Sequence, residues 1–212
     1  MSWAGISAED MVAEVCNVVS LDRAKTAVQT EIIRFINKIA SDYMFTEGDW
    51  PELISQNNTL AAIGSFSYDM LSEQSDFGRI IDKTVRAENR NLELKSKGYI
   101  DGVDPDHSRT GNPYWYAMNG YNLIIYPLHT GTVYYDYLAL PDEIEYTTAA
   151  ADISYNPKNH SVIVDGALWL AMRRYGKEEW QAQGNYFFSS IKKALKGRGV
   201  RAKPTATIPR KF

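Results

Sequence analysis

The stretch GNPYWYAMNGYNLIIYPLHTGTVYYDYLALP, residues 111–141, contains seven tyrosines and one tryptophan. Three runs of strand-forming residues, at 114–118, 123–128 and 133–140, are separated by the turn-forming segments NGYN and HTGT. Strand-forming runs joined by such short Gly-containing segments are typical of tight hairpins. The stretch therefore predicts an antiparallel β meander of two hairpins.

The third run of this stretch is apolar on both of its predicted faces. Tyr135 and Tyr137 share one face, and Tyr134, Asp136 and Leu138 share the other, because successive side chains of a strand point in opposite directions. A strand that is apolar on both sides is unusual in a sheet with one solvated face. We expect a sheet that is covered on two sides or that packs against a neighbouring subunit.

The region before this stretch changes from helical to β character near residue 60. Short alternating or aromatic runs predict strands near 60–70, 79–86 and 91–96, with the polar link AENR joining the last two. The segment GYIDGVDPDHSRTGNP, residues 98–113, is rich in Gly, Asp and Pro. Its composition predicts an exposed loop.

Helical periodicity appears on both sides of the β region. Ser7 and Asp10 resemble a capping box ahead of the first apolar stripe. Four amphipathic stripes predict helices near 7–20, 22–42, 160–175 and 177–196. Single helices of this length are marginal in water, so we expect them to pack on each other.

The predicted fold class is α+β. It has a helical core of about four helices, two N-terminal and two C-terminal, with an inserted antiparallel β meander or sandwich and a flexible C-terminal arm. The expected divisions are 1–50 for the N-terminal helices, 51–145 for the β insert, 146–197 for the C-terminal helices and 198–212 for an extended basic arm.

Charge is distributed unevenly along the chain. The final segment has eight basic residues and no acidic one: Lys192, Lys193, Lys196, Arg198, Arg201, Lys203, Arg210 and Lys211. This leaves 15 basic residues against 26 acidic residues elsewhere. An acidic body with a basic tail is consistent with a solubilising end, an arm that docks on an acidic partner, or a contact with DNA phosphates.

Recognisable catalytic or metal-binding motifs are absent from the sequence. His107, His129 and His160 lie in loops or turns or at a helix start, and the single cysteine, Cys16, lies between the valines Val15 and Val18. The Asp-rich segment DGVDPDH lacks the spacing of an EF-hand, and no phosphate loop, dinucleotide fingerprint or zinc-protease pair occurs. We expect no catalytic residue, no metal and no cofactor.

Membrane and secretion signals are also absent from the sequence. No run of about 18 apolar residues occurs, and MSWAGISAED lacks the features of a secretion signal. We expect a soluble protein made in a cytoplasm, with no membrane partner.

The aromatic residues of 111–141 have two possible interpretations, ligand binding and packing. Aromatic side chains in a sheet can hold sugars or stack on bases, but base stacking normally comes with interleaved Lys and Arg. Residues 111–141 contain neither. Buried packing or a protein contact is therefore favoured over nucleic-acid binding.

Three segments together resemble the head-to-tail adaptor (connector) proteins of tailed bacteriophages: NPYWYAMNGYNLIIYP, TVYYDYLALPDEI and NPKNHSVIVDGALWLAMRRYG. The elements that resemble the family are Tyr126–Pro127, the Tyr-rich run from Tyr134 to Tyr137, the break at Leu140–Pro141 and the small step at Gly166–Ala167. The resemblance covers about residues 8–196.

The resemblance implies a structural virion protein and no enzyme. It implies a homo-oligomeric ring, about a dodecamer, between the portal protein and a stopper, nozzle or tail protein, with genomic DNA passing through without sequence-specific binding. The arm residues expected to dock on the portal are Arg198, Arg201, Lys203, Arg210, Lys211 and Phe212. The expected subunit or neck interface comprises Tyr114, Trp115, Tyr116, Tyr126, Tyr134, Tyr135 and Tyr137.

Two other functions remain open at this point. The aromatic sheet is consistent with a carbohydrate-binding or other phage tail module. A stopper or tail-terminator ring of the same neck is a further candidate, although the helical ends favour the adaptor.

Overall fold

The computed structural model describes residues 5–196. The chain forms two compact units, and the class is α+β, as predicted. The β unit spans Ile54–Leu140. The helical unit comprises the residues on either side of it, up to Leu53 and from Pro141.

The helices, in chain order, are α1 (Ala8–Val19), α2 (Thr26–Lys38), α3 (Phe45–Glu47), α4 (Met70–Glu73), α5 (Lys97–Val103), α6 (His160–Arg174) and α7 (Trp180–Lys196). A π-helical segment, Ile39–Met44, joins α2 to α3. Single 3₁₀ turns lie at Pro51–Leu53, Ala150–Asp152 and Pro157–Asn159.

The strands are β1 (Ile54–Ile63), β2 (Ser67–Asp69), β3 (Phe77–Ile80), β4 (Arg86–Ala87), β5 (Arg90–Asn91), β6 (Glu93–Leu94), β7 (Trp115–Asn119), β8 (Asn122–Tyr126) and β9 (Thr130–Ala139). They form two sheets. The first has the order β1-β9-β4-β5, with β3 also paired to β9, and the second has the order β2-β8-β7-β6.

The first helix begins at the predicted cap. The Ser7 hydroxyl accepts a hydrogen bond from the Asp10 amide at 3.2 Å and donates one to the Asp10 carboxylate at 2.7 Å. This arrangement satisfies a backbone donor that the first helical turn leaves without a partner. The buried residues Met11, Val12 and Val15 then repeat at helical spacing.

The helical unit is closed by bonds between residues far apart in sequence. The Asn37 side chain donates to the Ile144 carbonyl and accepts from the Ile144 amide, both at 2.8 Å. The Ile6 amide donates to Nδ1 of His160 at 3.0 Å, which leaves Nε2 to donate to the Tyr155 carbonyl at 3.0 Å. His160 is completely buried, so it is a packing residue with both ring nitrogens in hydrogen bonds.

Two glycines allow α6 to approach its neighbours. A Cβ on Gly166 would lie 2.7 Å from the Phe187 ring and 2.8 Å from Ile39, and a Cβ on Gly184 would lie 2.7 Å from the Trp169 ring. The rings of Trp169 and Phe187 stack with centroids 5.8 Å apart. The Gly166–Ala167 step is thus the position at which α7 and the π-helical segment both contact α6.

The β unit has two separate apolar clusters. Leu123 and Ile125 of β8 point into the larger one, between the sheets, together with Tyr116, Tyr135 and Tyr137. The alternate residues of β8 point into a second cluster on the other side of the same sheet: Ile124 and Tyr126 pack there with Ala117 and with Ile100 of α5. The second sheet is therefore covered on both faces within one chain.

One of the two predicted hairpins is wrong. β7 and β8 form an antiparallel hairpin, with Trp115 opposite Tyr126, but β8 and β9 lie in different sheets. The chain leaves the second sheet at Tyr126, and β9 pairs instead with β1, β3 and β4. The turn predicted at HTGT is wrong as well, because Thr130, Gly131 and Thr132 already belong to β9. A local turn signal therefore fixed neither where the strand begins nor which strand it joins.

The predicted exposed loop at 98–113 is also wrong over its first part. Lys97–Val103 form α5, which starts at Ser96, whose hydroxyl accepts from the Tyr99 amide. Ile100 is fully buried against the second sheet. The two glycines of this short helix favoured the loop prediction, although Ile100 and Val103 pack in the cluster against the second sheet.

We expect Gly166→Ala to lower the free energy of unfolding of the helical unit by about 1 kcal/mol or more. Alanine gains up to ~1 kcal/mol in helix propensity, but forcing a methyl group into a close-packed contact costs about 1–3 kcal/mol. Denaturant unfolding followed by circular dichroism measures the difference. The matched control is Gly102→Ala in α5, where a Cβ meets nothing within 4 Å; that variant should be as stable as the parent or more so. A fully stable Gly166→Ala variant would contradict the packing described.

Candidate interaction surface

Four of the seven predicted interface residues lie in the interior of the β unit. Tyr116, Tyr126, Tyr135 and Tyr137 are at most 3% exposed. Burial raises the pKa of the Tyr135 and Tyr137 hydroxyls above the ordinary value. Side chains with so little exposed surface cannot supply contact area to a neighbour, so the prediction is corrected for these four: they hold the sheets of their own chain together.

The other three predicted residues reach the surface. Tyr134 is exposed, and the Arg86 guanidinium lies 5.3 Å from the centre of its ring. Tyr114 and Trp115 are partly buried at the start of β7. Their interface role stays a prediction.

Trp115 is the centre of an aromatic cluster. Its ring stacks on Tyr126 at 5.7 Å and meets Tyr114 and Tyr99 edge-on at 4.7 and 5.0 Å. The Lys95 ammonium lies 5.9 Å from the Trp115 ring centre and 5.3 Å from that of Tyr99. Tyr99, which is 48% exposed, lies in α5, so its place beside Trp115 could not be foreseen while this segment was read as a loop.

The edge strand β6 lies beside this cluster. It pairs in parallel with β7, and the amides of Glu93 and Lys95 donate to the carbonyls of Tyr114 and Tyr116 at 2.9 and 2.8 Å. Because backbone groups alternate in direction along a strand, the amide and carbonyl of Leu94 point away from β7. The Leu94 side chain is 50% exposed.

An apolar cavity adjoins the same edge. It has a volume of about 480 Å³ and is lined by the apolar or aromatic residues Leu92, Leu94 and Tyr116 and by the polar residues Asp82, Lys83, Asn91 and Glu93. Leu92 and Tyr116 are buried, whereas Leu94 is half-exposed. Thus β6 has an apolar depression on one face and the Trp115 cluster on the other.

Of the remaining histidines, His107 has structural partners, whereas Nε2 of the buried His129 has no hydrogen-bond partner within the described residues. His107 stacks on Phe66 with ring centroids 3.6 Å apart, and its Nε2 lies 2.8 Å from the Asp101 carboxylate. His129 is buried, with its ring against Gly131. Neither is accompanied by a nucleophile held in hydrogen-bond contact.

The Asp-rich segment is a capped turn rather than a cation site. The Asp104 carboxylate accepts from the amides of Arg109 and Ser108 at 3.0 and 3.1 Å, and these bonds, that from Arg109 first, lower the pKa of Asp104. Lys97 and His107 lower the pKa of Asp101 by hydrogen bonding. Within residues 5–196, no group of three His, Cys, Asp or Glu side chains is placed to hold a metal ion.

The helical unit has a polar surface cavity of about 560 Å³ between the start of α6 and the end of α7. Lys158 and Lys193 line it, together with Asp165 and Tyr186. Burial, followed by the nearby Glu14 carboxylate, raises the pKa of Asp165 to about 6. This residue was not singled out from sequence, because an Asp within an apolar stripe gives no signal of its partners.

The predicted portal-docking residues, Arg198 to Phe212, lie outside the described residues. The basic residues immediately before them, Lys192, Lys193 and Lys196, are exposed on α7. Five of the 23 basic residues lie beyond Lys196, so 18 remain against 26 acidic residues in the described part of the chain. That part is therefore acidic overall.

Comparison with known proteins gives one family. The family model described as SU10 adaptor protein matches residues 6–208. No curated protein matches the chain. None of the helices in the described part of the chain is long and apolar enough to span a membrane.

We expect Asp165→Asn to become more stabilising as the pH rises. The folded-state pKa of Asp165 is raised, so the charged carboxylate disfavours the folded state above about pH 6, and this penalty is absent below the unfolded value near 4. The gain in unfolding free energy should be near zero at pH 4 and on the order of 1–2 kcal/mol at pH 8. Thermal unfolding across this range measures it. Glu178→Gln, which removes an exposed carboxylate from the same unit, should show no such trend; equal trends in both variants would contradict the buried position of Asp165.

Proposed function

Since the chain belongs to the SU10 adaptor protein family, whose members are structural head-to-tail adaptor proteins of bacteriophages, we propose that its copies form a ring in the virion neck. The ring joins the portal to the next component of the neck or tail and surrounds the DNA channel. The single observation that carries this proposal is the family match, which spans residues 6–208 and so includes both the helical unit and the β unit.

The proposed role is geometric. Two described residues of types that often serve in catalysis have structural hydrogen bonds instead. His160 bonds with the backbone of Ile6 and Tyr155, and the Asp104 carboxylate accepts from the backbone of a turn. We propose no catalytic role and no cofactor.

The excess of acidic residues in the described part of the chain supports a channel that DNA passes without binding tightly to the protein. With 26 acidic and 18 basic residues in the described part of the chain, the net field repels phosphate. Tight binding to a polyanion would require clustered Lys and Arg that release counterions. We propose that the genome passes the ring without sequence-specific contact.

The exposed aromatic residues are the proposed contacts with neighbours. Trp115, Tyr114 and Tyr134 lie at least partly at the surface, and aromatic residues of this kind dominate protein interfaces. The basic residues Arg198, Arg201, Lys203, Arg210 and Lys211, with Phe212, are proposed to dock on an acidic surface of the portal, ordering on contact.

The carbohydrate-binding alternative is not favoured. A sugar stacks on the free face of an aromatic ring, whereas one face of Trp115 packs on Tyr126 and its ring also meets Tyr99 and Tyr114. A stopper or tail-terminator ring is disfavoured by the family match.

We expect electron microscopy of the protein mixed with its cognate portal to show a ring stacked on the portal. A chain that lacks residues 198–212 should keep the circular dichroism spectrum and unfolding midpoint of the parent but fail to bind the portal. Portal binding by the truncated chain would refute the docking role of the arm. Absence of any ring with the intact chain would refute the adaptor proposal itself.

We expect DNA binding to be weak at physiological salt, no tighter than about 10⁻⁵ M, in the range of non-specific contacts. Filter binding with duplex DNA measures it. The residual affinity should fall further when residues 198–212 are removed, because five basic residues are lost. Tight binding that resists added salt would contradict the proposed passive channel.

A further inference from the structure

The β6 edge has the features of a site that accepts an extended strand. The outward amide and carbonyl of Leu94 offer main-chain hydrogen bonds, and the two faces of the edge offer different surroundings for alternate side chains. One face has the cavity lined by Leu92, Leu94 and Tyr116, and the other has Trp115 and Tyr99. Exposed sheet edges are normally blunted by charge, proline or a cover.

The charge at this edge is already compensated. The Lys95 ammonium lies 2.7 Å from the Glu93 carboxylate and also faces the rings of Tyr99 and Trp115. Leu94, between these two charged residues, presents only apolar surface and backbone. The edge therefore suits an uncharged strand segment.

The chain itself contains such a segment beyond the described residues. Between Pro204 and Pro209 lie Thr205, Ala206, Thr207 and Ile208, a run of mostly β-branched residues that the family match includes up to its last member. The two prolines lack an amide hydrogen, so they limit any pairing to these four residues. Because β6 has only two residues, a partner segment of four residues is long enough to pair with it.

We propose that Thr205–Ile208 of a neighbouring copy adds as a strand to the β6 edge. Ala206 and Ile208 share one face of such a strand and enter the cavity beside Leu92, Leu94 and Tyr116. Thr205 and Thr207 face Trp115 and Tyr99. This inference rests on the proposed ring, which brings copies together, and it gives the arm an anchor on the neighbouring copy.

The overall charge of the described residues favours the basic arm as the occupant. The 16 residues beyond Lys196 carry five basic and no acidic residues, whereas the described part of the chain has an excess of acidic residues. Lys203 and Arg210 flank the uncharged run, and the cavity itself is lined by both signs of charge, Asp82 and Glu93 with Lys83. Association of one copy's arm with another copy's body is thus attractive, whereas two bodies repel each other.

A fluorescent peptide of residues 201–212 tests the site on the full-length chain. We expect saturable binding that falls at least tenfold with Leu94→Arg and is unchanged with the matched surface variant Ile63→Arg, since Ile63 is 75% exposed elsewhere on the unit. A peptide with Ile208→Ser keeps the charge and should lose binding. Equal affinity for the native and Ile208→Ser peptides would overturn the proposal. So would an equal loss of peptide affinity with Leu94→Arg and Ile63→Arg, because either result would mean that charge attraction alone holds the peptide.

Disulfide trapping then distinguishes a neighbouring copy from the same copy. Cys16 is fully buried and the only native cysteine, so background is low. In portal-bound samples, a mixture of Leu94→Cys chains and Ile208→Cys chains of different mass should form the mixed dimer, and Ile63→Cys with Ile208→Cys should not. An internal disulfide in a dilute chain carrying Leu94→Cys and Ile208→Cys, with no mixed dimer, would overturn the neighbouring-copy assignment. Peptide binding needs no ring, so failure of the site is separable from failure of the adaptor proposal.

Discussion

The β unit depends on one constraint, the burial of strand β8 on both faces. Leu123 and Ile125 belong to the cluster between the sheets, and Ile124 and Tyr126 belong to the cluster beneath α5. A strand buried on both sides needs a cover for each face, because apolar surface exposed to water costs about 25 cal/mol per Å². One sheet and a two-turn helix supply these covers, which is consistent with an aromatic-rich stretch, 111–141, that contains no lysine or arginine.

The helical unit is interrupted in sequence by 87 residues, 54–140, and its two halves must therefore be held together by contacts between segments that are distant in sequence. Asn37 makes two hydrogen bonds with Ile144, just after the insertion ends, and Ile6 bonds to His160. Gly166 lets α6 approach both Ile39 and Phe187. These contacts join residues from before and after the insertion, so the unit is specified by packing between distant segments rather than by local helix propensity.

Sequence patterns predicted local structure well and long-range pairing poorly. The cap at Ser7, the amphipathic stripe of α2 and the strand runs in 111–141 follow from periodicity and turn chemistry, which are local properties. The pairing of β9 with β1 joins residues such as Leu138 and Ile54, and no local signal distinguishes that partner from β8. For the same reason the tyrosines could be recognised as apolar contacts but not sorted into interior residues, such as Tyr135, and surface residues, such as Tyr134.

The distribution of covered and open surface connects the fold to assembly. Within the described residues, the second sheet is closed at its faces but ends at β6, a strand of two residues whose Leu94 backbone points outward. Closing this edge within the same chain would require a further strand, and none in the described part of the chain pairs with it. An edge that is short, flanked by an apolar cavity and bordered by a compensated ion pair favours a brief, specific strand over open-ended aggregation. Such an edge suits a subunit that must join a limited number of neighbours in a closed ring.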